Sequence, residues 1–248
     1  MSDLSGKTAL VTGGSRGIGR AIAVALGKAG AQVIVHYSNA ANEAEAVVAQ
    51  IRAMGGGAEK VGADLAAKDG AHVLAKQARA IVGERLDILV ANAGISKAAL
   101  LEETSVEDFD RLYAVNVRAP YFLVQQLLPD LQKGSSVVFV SSLAARAAVG
   151  NLSAYAATKG AISTLVRHFA AALGPKGIRV NAIAPGVVET DMSSFAKTDA
   201  GREMTLNMQA LKRIAQPDDI AGVVVFLASE AARWVTGEVV RVDGGSKL

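Results

Sequence analysis

Thr12-Gly13-Gly14-Ser15-Arg16-Gly17-Ile18-Gly19 follows the apolar, β-branched run that starts at Thr8 and leads into an Ala-rich segment with helical spacing, Ile18 to Lys28. Glycines placed this way permit a tight turn, close backbone approach to a pyrophosphate and tight packing of helix on strand. The helix that opens there supplies free N–H donors and a partial positive charge for phosphate. Gly13, Ser15, Arg16, Gly17, Ile18 and Gly19 are thus candidate nucleotide contacts. A purely structural turn can share this pattern; its place at the first strand-to-helix junction of an alternating chain favours the nucleotide.

Outward from that turn, short apolar runs recur at Thr8 to Thr12, Gln32 to Tyr37, Glu59 to Gly62, Leu86 to Ala91, Val137 to Val140, Arg179 to Ile183 and Glu238 to Val242. Helical segments such as Asn42 to Met54 and Ala154 to Leu173 separate them. Alternation of this kind predicts one α/β domain over 1–248: a doubly wound, seven-stranded parallel Rossmann-type sheet with helices on both faces. Gly55-Gly56-Gly57 punctuates the second helix, and Pro120 predicts a kink or break in a helical stretch from Val106 to Leu131. From Pro185 to Pro217 no strand is legible, and Met192, Phe195, Met204, Leu206 and Met208 mix with charge there. A long excursion in a compact domain predicts a substrate lid, at about 187–215.

Of the 248 residues 51% are apolar and 20% charged, with a net charge of +3, a globular balance with no basic cluster that reads as a nucleic-acid or membrane footprint. The chain has no cysteine, which excludes disulfide and thiolate chemistry and fits a reducing compartment. His36, His72 and His168 lie too far apart in sequence to suggest a metal cluster. Apolar stretches such as Ala221 to Ala228 fall short of the roughly 20 residues that span a bilayer. Met1-Ser2-Asp3 lacks the start of a signal peptide, so the expected location is the cytoplasm.

Further motifs follow: Ala91-Asn92-Ala93-Gly94 after the fourth strand, Asn116 in the long helix, Ser142 after the fifth strand, Tyr155-Ala156-Ala157-Thr158-Lys159, and Pro185-Gly186 followed by Thr190. Tyr155 and Lys159, four apart, share one helix face. Ser142 ends a strand whose carboxyl edge is where ligands bind in such sheets. Together with T-G-x-x-x-G-x-G, these motifs resemble the short-chain dehydrogenase/reductase family across essentially the whole chain; Ala91 departs mildly from the usual Asn-Asn-Ala-Gly.

The resemblance implies hydride transfer between a nicotinamide and a carbonyl or alcohol carbon, with Tyr155 as general acid/base and Ser142 holding the substrate oxygen. Lys159 would tune Tyr155 and bond the nicotinamide ribose. A free tyrosine titrates near 10, and a neighbouring ammonium lowers that value. Asn116 would link Lys159 to solvent through a water; as a helix-kink residue near Pro120 it also has a purely structural reading. Ser141 is the rival serine, and the family spacing selects Ser142. Asp64, Leu65, Asn92, Ala93, Gly94, Pro185, Gly186, Val188 and Thr190 complete the implied cofactor site. Ser96, Leu143, Leu152 and Val187 are expected to line the substrate pocket, and Arg146 could hold an anion there.

The stretch Val35-His36-Tyr37-Ser38-Asn39 at the end of the second strand carries no acid to bond a ribose 2′-hydroxyl, and Arg16 could pair with a 2′-phosphate. With His36, Tyr37 and Ser38 as neighbours of the adenosine, NADP(H) is favoured over NAD(H). The nearest likeness within the family is to 3-oxoacyl-acyl-carrier-protein reductases, which makes an acyl carrier protein a candidate partner through Lys133 and Lys176. Family habit further implies a homotetramer.

Overall fold

Residues 3–248 are described by a computed structural model. Seven strands, β1 (Thr8–Val11), β2 (Gln32–Tyr37), β3 (Ala58–Gly62), β4 (Leu86–Ala91), β5 (Leu131–Val140), β6 (Arg179–Pro185) and β7 (Val239–Val242), form one parallel sheet in the order β3-β2-β1-β4-β5-β6-β7. The chain builds outward from β1 to β3, then returns to lay β4 against the other side of β1. That reversal opens a crevice at the carboxyl ends of β1 and β4, where the glycine turn begins.

Strands covered on both faces read as continuous apolar runs, and all six residues of β4 are buried. On one face Ile22 and Leu26 of α1 (Gly17–Lys28), Val47 and Ile51 of α2 (Ala41–Ala53) and Val224 and Leu227 of α8 (Pro217–Ala228) pack over Ala9, Val11, Ile88 and Val90. On the other, Leu74 and Ala78 of α3 (Gly70–Val82), Leu123 and Leu127 of α5 (Ala119–Leu127) and Ile162 and Val166 of α6 (Ser153–Leu173) pack over Leu10, Leu89, Val137 and Phe139. Successive strand residues thus alternate between the two cores, as the pleat requires.

The break expected at Pro120 falls earlier. α4 (Val106–Tyr113) runs into a π-helical turn at Ala114–Arg118 before α5 resumes, and Pro120 sits in the first turn of α5. The widened turn accommodates a proline that can neither donate to nor clear the carbonyl four residues back, that of Asn116. The helix also stops at Leu127 rather than Leu131, which already opens β5.

The excursion after β6 is pinned at its stem by a bridge between Val188 and Ala215, with the Glu189 N–H donating to the Ala215 carbonyl at 2.8 Å. Within it lie a kinked 3-10 segment (Asp191–Lys197) and α7 (Asp199–Met208), a helix the mixed apolar and charged pattern concealed. No described helix is long and apolar enough to cross a membrane.

Candidate active site

The glycine turn is sewn to the exit of β4. The Thr12 hydroxyl accepts the N–H groups of Asn92 and Ala93, both at 2.9 Å, and the Asn92 amide nitrogen donates to the carbonyls of Thr12 (2.8 Å) and Gly13 (3.2 Å). The side chain of Asn92 is therefore spent on the frame of the cleft. Gly13 and Gly17 have φ of +62° and +53°, where a side chain strains the backbone. A Cβ on Gly19 would lie 2.1 Å from the Gly13 carbonyl oxygen, so the turn closes only without one.

His36 is buried and both its ring nitrogens are engaged. Nδ1 accepts the Gly13 N–H at 3.0 Å, so Nε2 carries the proton and donates to the Ala63 carbonyl at 3.0 Å. Burial holds its pKa below 6.5, against a smaller opposing effect of the Ala63 carbonyl. The ring reaches the cofactor cleft only through the turn it braces, with no nitrogen free to contact an adenosine. Beside it Tyr37 is half-buried and Ser38 exposed; Lys60 lies over the Tyr37 ring and pairs with Glu45 at 3.0 Å. Asp64 is exposed, its carboxylate accepting the Ala66 N–H, while Leu65 is buried. Arg118, which the motif reading passed over, ties this loop to the π-helical turn by donating to the carbonyls of Ala66 and Ala67.

Arg16 is exposed at the start of α1, with no ion-pair partner among the described residues. No side chain caps that helix and its first turn holds no acid, so its N–H groups and partial positive charge are open to an anion. Thr190 closes the other wall: a Cβ on Gly17 would lie 3.3 Å from its methyl group, and its hydroxyl is 3.0 Å from that of Ser193. The side chain of Val188 is buried in the core. A glycine cradle facing an uncapped, acid-free helix start fits the diphosphate of a dinucleotide.

At the carboxyl edge of β5 the two serines part ways. Ser141 is buried against α6, bonded to the Lys159 carbonyl and the Ser163 hydroxyl. The hydroxyl of Ser142 accepts the Ala144 N–H at 3.1 Å and is the side chain that acts on the Tyr155 phenol. Lys159 is 4% exposed; its ammonium donates to the Val140 carbonyl at 2.8 Å and sits 5.7 Å from the centre of the Tyr155 ring. Burial lowers the Lys159 pKa to about 8. Tyr155 moves the other way from what the neighbouring ammonium suggests: burial raises it, and only the Ser142 side chain opposes.

Asn116 is fully occupied through its side chain. Its carbonyl oxygen accepts the Ile95 N–H (2.9 Å), and its amide donates to the Ile95 carbonyl (2.9 Å) and the Thr158 hydroxyl (3.1 Å). Thr158, another residue the motif reading left without a role, thereby joins α6 to the π-helical turn. A Cβ on Gly94 would lie 3.3 Å from the Asn116 side-chain oxygen and 3.5 Å from the Lys159 ammonium, so Gly94, Asn116 and Lys159 share one corner.

Of the expected pocket residues, Ser96 is exposed and Leu152 and Val187 are half-buried, while Leu143, 3% exposed, lies beneath the surface. Arg146 is not free to hold an anion: it donates to Asp243 at 2.9 Å and to the carbonyls of Ser246 and Lys247. Lys133 and Lys176 are exposed at the amino-terminal ends of β5 and β6, the sheet edge opposite Ser142.

A doubly wound sheet with a phosphate cradle at its switch point and a Ser–Tyr–Lys group beside it defines a dinucleotide-dependent oxidoreductase. The chain belongs to the short-chain dehydrogenase/reductase family. The family model described as enoyl-(acyl carrier protein) reductase matches residues 13–247. An uncharacterized oxidoreductase of Methylorubrum extorquens is 44% identical over 248 residues, 99% of each chain. Versicolorin reductase of Emericella nidulans is 40% identical, covering 98% of this chain and 96% of that one. The crystal structure of the angucycline C-6 ketoreductase LanV with bound NADP superposes with a TM-score of 0.94 at 41% identity, covering 99% of this chain and 97% of that one.

Proposed function

We propose that this protein reduces a ketone to a secondary alcohol with NADPH, Tyr155 delivering the proton. The observation that carries the reading is the grouping of Ser142, Tyr155 and the buried Lys159 ammonium, 5.7 Å from the Tyr155 ring centre, at the sheet edge next to the glycine cradle. When bound, the nicotinamide supplies the hydride. Gly13 to Gly19 and the start of α1 would hold its diphosphate, Arg16 and Ser38 would meet the 2′-phosphate, and Thr190 and Lys159 would position the nicotinamide end.

The residues of the chain then manage the oxygen. Charge grows on the carbonyl oxygen as hydride arrives, so that atom needs a proton and oriented donors. A raised pKa keeps Tyr155 protonated, as an acid must be before it acts. The phenolate left behind is stabilised by the Ser142 hydroxyl and by the Lys159 ammonium. Pro120 has no N–H to return to the Asn116 carbonyl, which leaves that oxygen, rather than the engaged side chain, as the seat for a water that replenishes the proton.

The relatives named as ketoreductase and versicolorin reductase support a small-molecule ketone over a carrier-bound thioester. So does the sheet: Lys133 and Lys176 stand at the amino-terminal ends of β5 and β6, the edge opposite Ser142. The test is oxidation of NADPH and NADH by the purified protein against acetoacetyl thioesters, aryl and alkyl ketones and keto sugars, with Tyr155→Phe alongside. Turnover of a ketone with NADPH, reduced at least 100-fold in the Phe variant, is expected. Cofactor binding without turnover of any carbonyl would overturn the reading.

A further inference from the structure

Three segments that border the site meet at the C-terminal tail, 243–247. The loop after β5 contributes Arg146, whose guanidinium donates to the Asp243 carboxylate and to the carbonyls of Ser246 and Lys247. The same loop is braced on Ser142, which accepts the Ala144 N–H two residues before Arg146. The strand-end turn at Pro185–Gly186 leans on the tail too: Gly186 N–H donates to the Val242 carbonyl, and a Cβ on Gly186 would lie 3.0 Å from the Asp243 Cα. The far end of the excursion after β6 is the third. Ala210 and Leu211 donate their N–H groups to the carbonyls of Gly245 (3.3 Å) and Gly244 (2.9 Å), and Lys247 N–H donates to the Met208 carbonyl (2.9 Å).

Asp243 is the knot of this strap. Its side chain is 4% exposed, yet it takes charge-assisted hydrogen bonds from Arg146 (2.9 Å) and Arg241 (3.1 Å), and its second oxygen accepts the Gly245 N–H (3.0 Å). A buried carboxylate so paired is costly to leave with a partner missing. Between α7 and the tail lies an open groove of about 640 Å³, lined by Met204, Asn207, Met208, Gly245, Lys247 and Leu248. Polar bonds to the tail, more than apolar packing across that groove, therefore hold α7 where it is. The same excursion exposes the large apolar side chains of Met192, Phe195 and Met204.

We infer that Arg146 and Asp243 are positioning residues that, through the tail 243–247, couple the loop carrying Ser142 to the lid and so set how tightly a ketone is enclosed. The inference rests on the ketone-reductase reading only for its substrate; the mechanical link is a property of the free protein. Neither residue touches a reacting atom, and neither reaches the glycine cradle, so the link acts at the ketone and nicotinamide end of the cleft rather than on the diphosphate cradle.

The experiment compares wild type, Arg146→Met and Arg146→Lys by hydrogen exchange of the free protein, by NADPH titration and by steady-state kinetics on whichever ketone the panel identifies. In Arg146→Met the amides of 199–211 should exchange at least tenfold faster while those of α2 are unchanged, and the ketone KM should rise about tenfold, by more than the NADPH Kd does. Arg146→Lys, which keeps the charge on Asp243 and loses the forked geometry, should fall between the two. Unchanged exchange in 199–211, or a rise confined to segments that loosen together across the whole chain, overturns the strap. If no ketone is reduced by wild type, the function fails while the exchange data still decide the strap.

Discussion

Removing the charge of Lys159 should make this protein more stable and inactive at once. The ammonium is 4% exposed, has the Val140 carbonyl as its hydrogen-bond acceptor and has its pKa lowered by burial from 10.5 to about 8. At ~1.4 kcal/mol per pH unit, that displacement corresponds to about 3 kcal/mol by which folding disfavours the charged form. Lys159→Met keeps the apolar stem, removes the charge and leaves the Val140 carbonyl without its donor, which costs about 1 kcal/mol. The net gain at pH 7 is about 2 kcal/mol, a rise of roughly 4–8 °C in Tm for a chain of this length. Its pH dependence is distinctive. Between about pH 8 and 10.5 the unfolded chain keeps the lysine proton that the folded protein has released, so wild-type stability climbs with pH relative to the variant. The Met advantage is therefore full below pH 8 and gone near pH 10. Thermal and urea melts of both cofactor-free proteins from pH 7 to 10, compared pairwise at each pH, cancel every other titrating group. A variant less stable than wild type at pH 7, or a difference that stays flat from pH 8 to 10, would show that the buried ammonium is not strained and refute the reasoning.

His36→Leu should lose about 2–5 kcal/mol, because it strands both the Gly13 N–H and the Ala63 carbonyl, and should weaken NADPH binding by loosening the glycine turn. The folded His36 pKa lies below 6.5, so wild-type stability present above pH 6.5 should fall as pH drops through that value, whereas the Leu variant should lack this component; melts between pH 5 and 7.5 check it. Arg16→Ala should raise the NADPH Kd about 10- to 100-fold and leave that of NADH nearly unchanged, since one charge-assisted phosphate contact contributes about 1.5–3 kcal/mol; fluorescence titration with both nucleotides reads this directly. Exposed Val106, Phe109, Tyr121 and Phe122 on α4 and α5 should be covered by other copies in a homotetramer, and light scattering that returns a monomer at micromolar concentration would contradict it.

The sheet was legible because both of its faces are buried. Gln32 to Tyr37 and Leu86 to Ala91 read as strands over the residues they occupy, each an unbroken apolar run except for a single polar side chain or two. Elements that lean on local bonding rather than on apolar periodicity escaped. β5 extends back to Leu131 through Gln132, Lys133 and Gly134, whose exposed side chains carry no strand signal. α7 was hidden because only Gly201 and Thr205 of its ten residues are buried, leaving no apolar stripe to read. The π-helical turn has no signature beyond Pro120, and sequence alone could not tell a kink at the proline from a widened turn before it.

The site shows the same division. Glycines, Ser142, Tyr155 and Lys159 stand at spacings that strand, turn and helix geometry translate directly into one sheet edge. Pairings across long sequence separations do not translate that way: Arg146 with Asp243, Asn116 with Thr158 and His36 between Gly13 and Ala63 are each residue types with a ready solvent-facing or catalytic interpretation. Once folded, all three are spent on holding the cleft's walls together. Burial then does to Tyr155 and Lys159 what spacing alone could not reveal. It raises the first and lowers the second, so each is pushed toward its neutral form in the free protein. A neutral phenol can give a proton, and a lysine near pH 8 still carries its charge at pH 7 to steady the phenolate that results. In the proposed reaction the free protein thus presents Tyr155 in the form that donates a proton, and the rate of ketone reduction should fall as pH rises enough for the phenol to ionise.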